Sequence, residues 1–79
     1  MSSIWLRRDA YRKVALRHGH TTYRRQAAAA GLGFGTLWRT RNGAPVSSET
    51  VAALLNLYGL EFSELFSIGR EPVREQVPA

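Results

Sequence analysis

Apolar side chains between residues 6 and 18 recur on one side of a helical wheel. Leu6, Ala10, Tyr11, Val14 and His18 share that side, while Arg7, Arg8, Arg12, Lys13 and Arg17 spread around the rest. This spacing predicts a first helix. Gly19 ends it, as a residue able to adopt the left-handed conformation does, and Thr22 is placed to cap the next helix. A second helix is predicted over 23–30, with Tyr23, Ala27 and Ala30 at i, i+4 and i+7 as its inner face. Gly31 stops it, Leu32 plugs the core beneath the turn, and Gly33 precedes a third helix over 34–41. Beyond Asn42 and Gly43, Ala44 and Pro45 enforce a loop. Ser47 and Ser48 then offer caps for a fourth helix in which Val51, Leu54, Leu55 and Tyr58 form the clearest apolar stripe of the chain. Gly59 closes that helix, and Phe62, Leu65 and Phe66 predict a short fifth helix over 62–66.

No segment alternates apolar and polar residues over a sustained length, and there is no internal repeat. The expected fold is therefore all-α: a compact five-helix bundle over residues 1–66. From Ser67 onward the sequence carries two prolines and four charged residues in thirteen positions, which predicts a flexible tail over 67–79.

The chain has 79 residues, enough for one domain with a modest core. Without cysteine there is neither a disulfide framework nor a thiolate metal site, a composition that fits a reducing cytoplasm. The opening MSSIWLRRD has no apolar stretch of signal-peptide length. Nor does any segment approach the roughly 18 apolar residues of a membrane span. The expectation is a soluble, cytoplasmic protein that engages no membrane.

Charge is divided unevenly. Residues 1–43 hold nine Arg or Lys against the single acid Asp9, a net of +8, whereas 44–79 hold two bases against five acids, a net of −3. Ten of the eleven basic residues are Arg, whose guanidinium fork binds phosphate and guanine bidentately. The basic half contains the two short helices joined by a glycine turn, a pattern that points to DNA.

Other chemistry is weakly supported. Gly31, Gly33 and Gly35 resemble a phosphate loop only superficially, since no strand precedes them and no Walker lysine follows. His18 and His20 lack further thiol or carboxylate ligands nearby, so no metal site is assigned, and His18 is expected to pack against or cap the first helix. No nucleophile, base and orienting residue come together. The chain is read as non-enzymatic, with no cofactor and no small-molecule ligand.

Thr22, Ala27, Gly31, Leu32, Gly33, Leu37, Asn42 and Gly43, followed by Ser47 to Val51, Leu54-Leu55 and Gly59 to Phe66, resemble in order and spacing the lambda-repressor-like (Cro/CI, XRE-type) helix-turn-helix family. The similarity covers about 6–66. It implies a five-helix domain whose third helix enters the major groove while the second crosses the phosphate backbone. Gln26 stands in a slot that is usually apolar in the family, and Tyr23 where many members have Gln.

On a wheel of the third helix centred on Leu37, Arg41, Phe34 and Trp38 fall on the same side and are assigned to the inner face. Gly35, Arg39, Thr36 and Thr40 follow around the rest of the wheel, with Arg39 nearly opposite Leu37, and make up the expected base-reading face. Arg39 is suited to guanine, Thr36 to a base edge or a thymine methyl, and Gly35 to close approach of the helix to DNA. The aromatic pair Phe34 and Trp38 is expected to pack against the first or fourth helix. Phe34 keeps a second reading as a contact to a thymine methyl, because it aligns with a family position that often reads a base. Arg12, Thr22, Tyr23, Arg24 and Arg25 are candidate phosphate contacts, the last two because backbone N–H groups and the macrodipole at the start of the second helix favour an anion. Asn42 resembles the family's phosphate-contacting loop residue, and turn geometry with Gly43 is its alternative role.

These features lead to the expectation of a sequence-specific double-stranded DNA-binding transcriptional regulator, a phage-type or Cro-like repressor acting as a homodimer on a palindromic operator. Ile68 and Val73 are candidates for the dimer surface. The alternative is an antitoxin or adaptor that uses its helix-turn-helix as a protein-interaction module. A third reading is nonspecific RNA or anionic-membrane binding through charge alone.

Overall fold

The structure of the protein, a computed structural model, describes residues 2–71. In chain order the elements are β1 (Ser3–Leu6), α1 (Arg8–Arg17), α2 (Tyr23–Ala30), α3 (Phe34–Arg41), α4 (Ser48–Tyr58), α5 (Phe62–Leu65) and β2 (Phe66–Gly69). The five expected helices are thus present, and α2 and α3 run over the expected residues. A small sheet is added to them.

β1 and β2 pair antiparallel, with Ser3 opposite Gly69, Ile4 opposite Ile68, Trp5 opposite Ser67 and Leu6 opposite Phe66. This corrects two expectations. The domain is not purely helical, and the tail expected from Ser67 instead contributes Ser67, Ile68 and Gly69 to a strand; the remainder of that tail, 72–79, lies outside the described residues. Each strand has only four residues, too short for a period of two to stand out in sequence. Pairing is secured by side chains as well as by the ladder. The Trp5 indole donates to the Gly69 carbonyl at 2.9 Å, and Arg7 Nε donates to the carbonyls of Ser63 and Phe66 at 3.1 and 3.2 Å. On the other side of β1, the Val46 N–H donates to the Ile4 carbonyl at 2.8 Å, tying the loop before α4 to the sheet.

Leu6 therefore belongs to a strand rather than to the first helix, which begins at Arg8, although its side chain still faces the core as expected. His18 is the C-cap residue of α1, as expected, and its ring meets that of Tyr58 edge to face at 5.0 Å, but it stays exposed and Ala15 takes the buried position on that side. The main core joins all layers: Leu6, Tyr11, Val14, Ala15, Ala27, Leu37, Val46, Leu54, Tyr58, Leu65 and Phe66. Full burial of side chains such as Leu37, Leu54 and Leu65 stabilises by about 1.5–3 kcal/mol each.

Local signals for helix ends behave as the sequence suggests. Thr22 and Ser47 accept hydrogen bonds from the backbone N–H groups of Arg25 and Thr50, capping α2 and α4. Gly31 ends α2 at φ 70°, a left-handed conformation that glycine adopts without the Cβ clash other residues suffer. Only Gly31, Leu32 and Gly33 separate α2 from α3.

Candidate nucleic-acid interface

The position of α2 is set from beneath by a buried polar chain. Gln26, 4% exposed, accepts a hydrogen bond from the Tyr11 hydroxyl at 2.9 Å through Oε1 and donates through Nε2 to the His20 carbonyl at 2.9 Å. His20 Nδ1 lies 2.9 Å from the Tyr58 hydroxyl, and the Tyr11 and Tyr58 rings meet edge to face at 6.1 Å. Both the oxygen and the nitrogen of this buried amide are thus engaged. Burial pushes the Tyr11 phenol well above its ordinary value, helped by the neighbouring Tyr58 and opposed by Arg41. Tyr58 is also raised by burial.

Arg41 joins α3 to this arrangement. Its guanidinium stands 5.3 Å from the Tyr11 ring centroid and 5.1 Å from that of Tyr23, and its buried Nε has no hydrogen-bond partner among the described residues. Cation–π attraction of this kind suits the delocalised, weakly hydrated guanidinium better than an ammonium. Tyr23 in turn meets the Phe34 ring edge to face at 6.2 Å. The first residue of α2 and the first residue of α3 are therefore neighbours. Arg24 and Arg25, which follow Tyr23 in the first turn of α2, are exposed.

The orientation of α3 differs from the expected one. Leu37 and Thr40 are its buried residues, while Thr36 and Arg41 are partly buried on the two flanks. Thr40, at 4% exposed, donates its hydroxyl to the Thr36 carbonyl at 2.9 Å, so it is removed from the base-reading set. Bonding to its own helix satisfies the hydroxyl and allows the residue to be buried. Phe34 and Trp38, expected toward the core, are 51% and 48% exposed. The reason is that the Arg41 side chain fills the inner flank between Tyr11 and Tyr23 that a wheel leaves to the aromatic pair. The outward face of α3 is consequently Phe34, Gly35, Trp38 and Arg39, which form one continuous arc of the wheel.

Arg39 folds back along this face. A Cβ built on Gly35 would stand 3.6 Å from Arg39 Nη1, an ordinary van der Waals contact. Thr36 and Arg39 also border a pocket of about 240 Å³ shared with Ser47 and Thr50 at the start of α4. The sequence does not signal Ser47 and Thr50 as neighbours of α3. Their positions mark a helix cap and nothing more.

The remaining candidates separate into two groups. Arg12, Arg24 and Arg25 are exposed. Thr22 and Asn42 are exposed but engaged: the Thr22 hydroxyl caps α2, and Asn42 Nδ2 donates to the Trp38 carbonyl at 2.7 Å, closing the end of α3. Tyr23 is half-buried between Arg41 and Phe34. Among the described residues no group of three or more His, Cys, Asp or Glu could hold a metal ion, and no helix is long and apolar enough to cross a membrane.

No family model, curated protein or solved structure matches the chain.

Proposed function

We propose that the protein is a sequence-specific double-stranded DNA-binding regulator of transcription, of the Cro-like repressor kind, which occupies an operator by placing α3 in the major groove. The observation that carries this reading is the juxtaposition of an exposed α3 face, Phe34, Gly35, Trp38 and Arg39, with exposed Arg24 and Arg25 at the adjoining start of α2. An α-helix with its side chains is about 10–12 Å across, close to the width of the major groove of about 12 Å, so α3 can enter it. Arginines at the start of α2 add side-chain donors to the free backbone N–H groups there, a combination that holds phosphates and fixes register without reading sequence. No Asp or Glu occurs between Asp9 and Glu49, so the whole segment offers a polyanion no acid to repel it.

Action as a homodimer on a palindrome in the cytoplasm of a bacterial or phage-infected cell completes the proposal. Ile68, 66% exposed on β2, is a candidate for the contact between copies, while Val73 lies outside the described residues. Selection of bound sites from random duplex DNA at near-physiological salt tests the reading. Recovery of an enriched, palindromic motif supports it, and recovery of none sinks it.

The exposed Phe34–Trp38 pair specifically favours a second reading, an antitoxin or adaptor whose α3 face docks a protein. In that case removal of Arg24 and Arg25 leaves function intact, and no duplex motif is enriched.

A further inference from the structure

We infer that Phe34 and Trp38 form a thymine-methyl reader on α3, so that the recognised duplex carries thymine at the one or two positions facing these rings. The inference rests on the operator-binding reading and names what that site selects.

The two rings are the large apolar groups of the outward face, and both are about half exposed. Phe34 is held rather than loose at its base: it lies edge to face against Tyr23 at 6.2 Å, and Tyr23 is fixed in turn by Arg41. Each ring therefore presents apolar surface that a methyl group can cover. Stacking, the other use of an aromatic ring on a nucleic acid, requires unstacked bases, which the groove of a paired duplex does not offer.

The major-groove edge of a base pair presents one apolar group, the C5-methyl of thymine, and apolar side chains are its partners. At a rise of about 1.5 Å per residue, positions 34 and 38 are about 6 Å apart along the helix, close to two base steps of about 3.4 Å. Between them Gly35 has no side chain to hold the rings away from the groove floor, and Arg39 flanks them as a hydrogen-bond donor. The absence of acids from Ala10 to Ser48 assigns the face to nucleic acid in preference to an apolar protein groove.

The test uses the duplex recovered by site selection, with deoxyuridine replacing thymidine one position at a time, which removes only the methyl. Loss of one buried methyl lowers affinity by about fourfold. The expected result is that loss at one or two positions for the native chain, with the sensitivity abolished in Phe34→Ala or Trp38→Ala, each checked for folding by thermal melting. A recovered motif with no uracil-sensitive position overturns the inference and leaves operator binding standing. Sensitivity that persists unchanged in both folded variants, or tighter binding of the isolated single strand, also overturns it. Failure to recover any motif removes the operator reading and this inference together. Because the uracil scan needs only the native chain, a scan without a sensitive position overturns the inference even where a variant does not fold, and Phe34→Leu and Trp38→Phe, which keep an apolar side chain, serve where the alanine variants fail to fold.

Discussion

The hydroxyl of Tyr11 on α1 donates to Oε1 of Gln26 on α2 across 2.9 Å of buried interior. Gln26 is therefore a structural pin between the two helices. Replacing Gln26 by Leu leaves the Tyr11 hydroxyl and the His20 carbonyl without this partner and is expected to lower the free energy of unfolding by about 1–3 kcal/mol. Urea denaturation measures it. The double variant Tyr11→Phe with Gln26→Leu should recover part of the loss, since two apolar partners leave fewer unmet polar groups. If it is no more stable than Gln26→Leu alone, the hydrogen bond is not the cause.

Arginines in the basic half should divide by role. Arg24→Ala or Arg25→Ala is expected to weaken binding to all DNA sequences and to reduce the salt slope by about one each, with stability changed by less than about 0.5 kcal/mol. Arg39→Ala should relax preference at a single base position. Arg41→Met should act on the fold instead, lowering stability by about 1–2 kcal/mol through lost contact with Tyr11 and Tyr23. Binding isotherms across a salt series, paired with melting curves, separate the three behaviours.

Gly35 offers a variant in which stability and binding move in opposite directions. Its backbone is helical and a Cβ fits, touching only Arg39 Nη1 at 3.6 Å. Gly35→Ala is therefore expected to stabilise the domain by about 0.5–1 kcal/mol. The same Cβ projects from the face proposed to enter the groove, so affinity for the selected duplex should fall. Unchanged affinity in the stabilised variant would show that the helix does not approach DNA at this residue.

Alkaline conditions should weaken the fold through two phenols. Tyr11 and Tyr58 are both held above their ordinary value of 10.0 in the folded chain, chiefly by burial. The unfolded chain releases these protons first, so their stabilising effect is complete below about pH 10 and declines as pH rises beyond it. Denaturation curves recorded across that range should show stability falling with pH. Tyr11→Phe should flatten the fall.

Much of this organisation is legible in the chain itself, because helix signals are local. Thr22, Gly31, Ser47 and Gly59 punctuate the helices through side-chain caps or left-handed backbone that depend only on near neighbours. The facing of α3 is less accessible. A wheel places Leu37 in the core, as found, but it weighs Phe34 and Trp38 as core residues too and has no means of knowing that Arg41 finds two tyrosine rings from other helices. The same limit hides Thr40, whose burial rests on a bond to Thr36 within α3. It also hides the sheet, where each four-residue strand acquires meaning only from a partner far along the chain.

That distance along the chain has a consequence in time. Trp5 and its acceptor Gly69 are separated by 64 positions, whereas α2, its turn and α3 assemble from residues within one short segment. Closing so long a loop is entropically unfavourable and is rewarded only once most of the helices are in place, which puts strand pairing late in folding. Interactions formed after the folding barrier slow escape from the native state more than they hasten arrival. The clasp of β1 on β2 is thus expected to govern how long the domain stays folded, and the helices how quickly it gets there.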